Sequence, residues 1–137
     1  MSDGTMMSDE SMMGGGSSDV DMMTAMMGRT GPRLLTNGQD GVALTGSDGK
    51  LERAHIVNAT ASTRLLLRFD GAEMLRLSAT GGRLPQPESA TTIELAPGER
   101  TEGVLVPGAA GGTLTAQRLS NEGDGGAMGL PEVVATV

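Results

Sequence analysis

The chain has 137 residues, enough for one domain with a sizeable core. Its 17 Asp and Glu against 10 Lys and Arg give a formal net charge of −7. That charge argues against a nucleic-acid backbone as partner, because such binding needs clustered cations that release counterions. The absence of Cys excludes disulfides, zinc fingers, iron–sulfur clusters and thiolate copper sites together. With one Phe and no Trp or Tyr, the core must be built from Leu, Ile, Val and Ala. Each of these buries less area than an aromatic ring, so the expected domain is modestly stable and leans on neighbouring surfaces. No run approaches the roughly 18 apolar residues of a membrane span.

Residues 1–28 form a low-complexity arm, with nine Met among Ser, Asp, Gly and Thr and a break at Gly14-Gly15-Gly16. Such a segment has no sustained apolar face and a high ordering cost, which predicts disorder. Its last part, Met22-Met23-Thr24-Ala25-Met26-Met27, is expected to form a short helical turn or to dock on an apolar surface. It also lacks the basic-then-apolar pattern of a secretory signal.

Residues 29–137 change character, to short apolar runs parted by turn residues. Leu34-Leu35 precedes Asn37-Gly38, and Val42-Ala43-Leu44 precedes Ser47-Asp48-Gly49. Runs at 51–58, 64–69 and 74–79 follow, broken by Asp70-Gly71 and Gly81-Gly82. The segments 91–95 and 102–106 close on Pro97-Gly98 and Pro107-Gly108, and 113–119 and 132–137 complete the set. At four to eight residues these read as strands rather than helices. Leu65, Leu67 and Phe69 alternate with Leu66, Arg68 and Asp70, as one buried face requires. Leu75, Leu77 and Ala79 alternate likewise with Met74, Arg76 and Ser78, and Ile93 and Leu95 flank Glu94. Repeated short strands with turn signals predict an antiparallel β-sandwich, whose strand order the pattern leaves open. Pro97 presets a turn φ and Gly98 accepts a positive one, so the chain is expected to reverse there between adjacent strands. Glu99 and Arg100 are placed to fix that corner through an ion pair or backbone hydrogen bonds.

Four stretches, in order, resemble the second domain of bacterial and archaeal laccase-type multicopper oxidases. They are Leu34-Leu35-Thr36-Asn37-Gly38, Glu52 through Thr60, Ser78 through Pro87, and Ile93-Glu94-Leu95-Ala96-Pro97-Gly98-Glu99-Arg100. Thr80 stands where the family usually has Asp. Order and spacing agree through residues 33–106, with a weaker echo over 121–129. The resemblance implies an all-β, Greek-key β-sandwich of cupredoxin type, carrying here a disordered Met-rich arm. It also implies a place between flanking or separate copper-bearing cupredoxin domains, and a periplasmic or extracellular location. The family's copper centres draw on two His and one Cys, and on eight further His, through His-X-His and His-Cys-His motifs of the other domains. One His and no Cys cannot reproduce either centre. The chain is therefore expected to be non-catalytic, a scaffold with no cofactor in its folded domain, and its state of homo-oligomerisation is left open.

His55 has two readings, a metal ligand or proton carrier against an ordinary strand-surface side chain. The second is favoured, since a metal site needs several convergent ligands. The distinctive chemistry lies in the arm. Met6, Met7, Met12, Met13, Met22, Met23, Met26 and Met27 are candidate copper(I) ligands, because thioether sulfur is a soft neutral donor. Asp3, Asp9, Glu10, Asp19 and Asp21 would add favourable charge. This gives the alternative function, a module that captures copper(I) and delivers it. The competing view is a linker or a few Met packed on an apolar surface. Asp19-Val20-Asp21 lacks the rest of a calcium loop. Asn58-Ala59-Thr60 fits a glycosylation acceptor but coincides with the strand-end turn. The Gly-rich 108–112 stretch lacks the Lys-Ser/Thr ending of a phosphate loop, and Glu99 with Glu102 has no sign of a cleft.

Overall fold

The computed structural model describes Met22, Met26 and residues 31–44, 51–120 and 126–137. The named elements are all strands. They are β1 Val42–Ala43, β2 Glu52–Val57, β3 Arg64–Asp70, β4 Ala72–Ala79, β5 Gly82–Ala90, β6 Thr92–Leu95, β7 Arg100–Pro107, β8 Thr113–Leu119 and β9 Ala127–Thr136. They form a five-stranded sheet, β1-β9-β8-β3-β6, and a four-stranded sheet, β2-β7-β4-β5. Among consecutive strands, β4–β5 and β8–β9 pair as antiparallel hairpins, and every other named connection passes from one sheet to the other.

The core lies between the sheets. On β3, Leu65, Leu67 and Phe69 are buried, as their alternation predicts, and on β6 so are Ile93 and Leu95. Strand β4 departs from expectation. Its core residue is Met74, fully enclosed at 0% exposure, whereas Leu75, Leu77 and Ala79 are only half-buried. The reason sits on the neighbouring strand. A Cβ on Gly103 of β7 would lie 2.8 Å from the Met74 methyl and 2.4 Å from the Leu75 carbonyl. The missing side chain of Gly103 therefore makes room for Met74, an unbranched side chain suited to irregular space. Leu75 is left on the outer face, opposite Val104.

Strand β5 carries Pro85 and Pro87, and it is an edge, where a residue without an N–H is tolerated. Its pairing with β4 holds from Met74 to Arg76 and again at Ser78 and Ala79. Between these, the Leu84–Pro87 stretch stands opposite Leu77, a broad bulge that blunts the edge against further pairing.

Leu34-Leu35 forms no strand. The turn after it is as tight as Asn-Gly implies: Asn37 (φ 51°) and Gly38 (φ 80°) both take the left-handed conformation. Thr36 and Gln39 close it by mutual backbone hydrogen bonds of 2.8 and 3.0 Å.

Candidate functional site

Three of the sequence motifs meet at one corner of the sandwich. Strand β2 ends at Val57, and Asn58 begins the passage to β3. The turn from β6 to β7 runs through Ala96-Pro97-Gly98-Glu99 beside it. The Asn58 N–H donates to the Glu99 carbonyl at 2.9 Å, and the Gly98 N–H donates to the Asn58 carbonyl at 2.8 Å. The Asn58 side chain is 1% exposed and fully used. Its Nδ2 donates to the carbonyls of Thr63 and Leu95 at 2.8 and 2.9 Å. Its Oδ1 accepts from the Thr60 N–H and hydroxyl at 3.1 and 2.8 Å. The nitrogen that a glycan would take is thus committed to the fold.

Pro97-Gly98 is a passage between sheets rather than a reversal between neighbouring strands, since β6 and β7 lie in different sheets. The positive φ of Gly98, 79°, is as expected. Glu99 fixes the corner by accepting the Ala96 N–H at 2.8 Å. The Thr80 hydroxyl, in the β4–β5 turn, accepts the Arg100 N–H at 3.0 Å and lies 3.3 Å from the Arg100 carbonyl oxygen. Thr101, buried beside it, donates to the Ser78 carbonyl at 2.9 Å. Three of the four motifs are therefore parts of one hydrogen-bonded corner.

His55 lies on β2, 64% exposed at its side chain, with Nδ1 3.7 Å from Glu102 Oε2. Arg53 also pairs with Glu102, so this carboxylate is held between two neighbours on the outer face of the sheet. No group of three or more His, Cys, Asp or Glu converges among the described residues. One His and no Cys do not fit a thiolate–imidazole copper centre.

Of the candidate copper(I) ligands, Met6, Met7, Met12, Met13, Met23 and Met27 lie outside the described residues. So do the disorder expected of the arm and the Asp19-Val20-Asp21 pair. Met22 and Met26 are described. Both have helical backbone and are exposed, at 64% and 81%.

Open hollows mark the surface formed by the described residues, two of them near polar side chains. One is lined by Asp70, Gly71, Gly111, Gly112, Thr113 and Val137, mostly backbone in close contact. The other is lined by Arg33, Leu34, Thr60 and Arg118 among others. Its cations are already engaged, Arg33 by Asp40 and Arg118 by Glu132 and the Gly31 carbonyl. Among the described residues no helix is long and apolar enough to cross a membrane.

Comparison with solved structures decides the architecture. The chain superposes on a multicopper oxidase from Campylobacter jejuni, a metallo-oxidase, with TM-score 0.60 and 24% identity, over 82% of this chain and 24% of that one. The fold is the cupredoxin-like sandwich of multicopper oxidases. A laccase-like multicopper oxidase, CueO from Ochrobactrum sp., gives TM-score 0.61 at 24% identity, over 85% of this chain and 25% of that one. In sequence, the cell division protein FtsP of Aggregatibacter aphrophilus is 41% identical over 73 residues, which are 53% of this chain and 15% of that protein. No family model matches the chain. The cupredoxin-like unit thus spans about a quarter of the oxidases it resembles.

Proposed function

We propose that this chain is a non-catalytic cupredoxin-like domain of a copper-dependent oxidase, working as a scaffold between copper-bearing domains. The observation that carries this reading is a mismatch between fold and donors. More than four-fifths of the chain follows the multicopper-oxidase sandwich, while its one His and absent Cys cannot supply a thiolate–imidazole copper centre. What the motifs build instead is a corner. The Asn58 contacts tie the β2–β3 passage to the β6–β7 passage, Glu99 braces the latter, and Thr80 joins its end to the β4–β5 turn, as a rigid spacer requires. The middle position between two such domains, and an exported location, belong to the same proposal.

A second reading is favoured by Met22 and Met26. Each has helical backbone, and both residues are exposed. In that reading the arm gathers copper(I) through these and the neighbouring Met, and passes it on.

One copper-loading experiment tests both. The purified chain is dialysed against copper(II), and separately against copper(I) under reductant, then assayed for bound metal, visible absorption and oxidase turnover. The scaffold reading expects no intense blue absorption and no turnover; either one would sink it. The arm reading expects copper(I) retained by the full chain and lost when residues 1–28 are deleted. Equal retention without the arm would exclude it.

A further inference from the structure

The turn before β1 carries a reactive dipeptide that the fold leaves unrestrained. Asn37 and Gly38 are both exposed, with left-handed φ of 51° and 80°. Neither the Asn37 side-chain amide nor the Gly38 N–H makes a hydrogen bond among the described residues. A Cβ on Gly38 would meet nothing within 4 Å, so the space around this peptide is open. Two backbone hydrogen bonds between Thr36 and Gln39 close the turn, and they form an isolated bridge outside the named strands. Opening such a turn costs far less than unfolding the sandwich.

That freedom has a chemical consequence. The backbone nitrogen after an Asn closes a five-membered ring when it attacks the side-chain carbonyl carbon, and Gly has no side chain to obstruct it. Here the Gly38 nitrogen would attack Asn37 Cγ and give its proton to solvent, while the amide nitrogen takes up a proton and leaves as ammonia. The product is a succinimide. Water then opens the ring at either carbonyl, to aspartate or to isoaspartate, whose backbone runs through the former side chain. Water is consumed, ammonia is released, and nothing is oxidised or reduced.

The comparable positions among the described residues are restrained. Asn58 is 1% exposed, both atoms of its amide are bonded, and Ala59 follows it. At Asp40-Gly41 the carboxylate is engaged by Arg33. At Asp70-Gly71 the Gly71 carbonyl accepts the Gly108 N–H at 2.8 Å, and a Cβ on Gly71 would lie 2.8 Å from the Gly111 carbonyl oxygen, so that peptide is packed in place.

We propose that Asn37 is a self-modifying site, converted with time to isoaspartate and aspartate through a cyclic imide with the Gly38 nitrogen. Isoaspartate lengthens the backbone by one carbon, so Thr36 and Gln39 cannot both keep their hydrogen bonds. Either product adds a negative charge three residues before Asp40, whose carboxylate already occupies Arg33. The turn leading into β1 therefore loosens as the protein ages.

The purified full chain is aged in neutral buffer, folded and, in parallel, unfolded in guanidinium. Peptide mass spectrometry reads the mass gained at Asn37 and at Asn58 when the amide becomes a carboxylate, and electron-based fragmentation separates isoaspartate from aspartate. The expected Asn37 rate in the folded chain is within about threefold of its unfolded rate, while folding slows Asn58 by roughly tenfold or more. Both products are expected at Asn37. The Gln39 N–H is expected to exchange with solvent faster in the isoaspartate fraction than in the variant Asn37→Asp, which has the charge without the longer backbone. Folding that slows Asn37 as strongly as Asn58 would overturn the proposal. Aspartate as the sole product would overturn it too, since the cyclic imide opens to both.

Discussion

Gly103→Ala is expected to destabilise the chain by about 3 kcal/mol, at the upper end of what forced overpacking costs. The added methyl would lie 2.4 Å from the Leu75 carbonyl oxygen and 3.0 Å from the Arg76 Cα, both backbone atoms of the adjoining strand β4. Backbone in the middle of a paired strand cannot step aside without disturbing the ladder on both sides of it. The Met74 methyl, 2.8 Å away, is the only flexible obstacle among the three. Shortening Met74 should consequently fail to rescue Gly103→Ala, which separates a backbone clash from a side-chain one. Gly98→Ala is the comparison. It meets nothing within 4 Å, and its penalty comes from φ 79° alone, about 1 kcal/mol. Urea midpoints of the variants check the ranking. A Gly103→Ala midpoint equal to or above that of Gly98→Ala would refute the packing account of β4.

Asn58→Ala is expected to cost a similar amount, about 3 kcal/mol, by another route. Truncation removes the two donors that satisfy the Thr63 and Leu95 carbonyls and the acceptor for Thr60. The residue is 1% exposed, so water does not readily replace them. Asn58→Asp should be worse near neutral pH, because it turns an oxygen toward carbonyls that now receive an N–H. Thr60→Ala should be milder, since it removes one hydroxyl and leaves Asn58 bound to Thr63 and Leu95. Chemical denaturation of the three variants tests this order. Equal stabilities for Asn58→Ala and the parent chain would show that the corner is not what joins the sheets.

Much of this fold was legible, and the exceptions share a cause. Leu65, Leu67 and Phe69 were readable because β3 has one wet face and one dry face, so period-two alternation is complete. Asn37-Gly38 was readable because few dipeptides enter the left-handed region so easily. Strand β4 misled. Both of its faces carry apolar residues, and the choice between them depended on Gly103, a residue 29 positions from Met74 in sequence. Strand β5 went unseen because Pro85 and Pro87 argue against a strand, while an edge with a bulge accommodates them. The start of β9 was hidden in glycine-rich sequence and lies five residues before the predicted run. The motif stretches were legible as turns, but not as one site. Only the folded chain shows Asn58 reaching Leu95, and Thr80 reaching Arg100.

The scaffold account is tested most directly on the native particle that contains this sequence, isolated intact and analysed by native mass spectrometry with copper quantification. The account expects the particle to carry copper and to yield peptides with His-X-His and His-Cys-His motifs, in the same polypeptide or in a tight complex. A native particle consisting of these 137 residues alone, with neither motif and no copper, would contradict it.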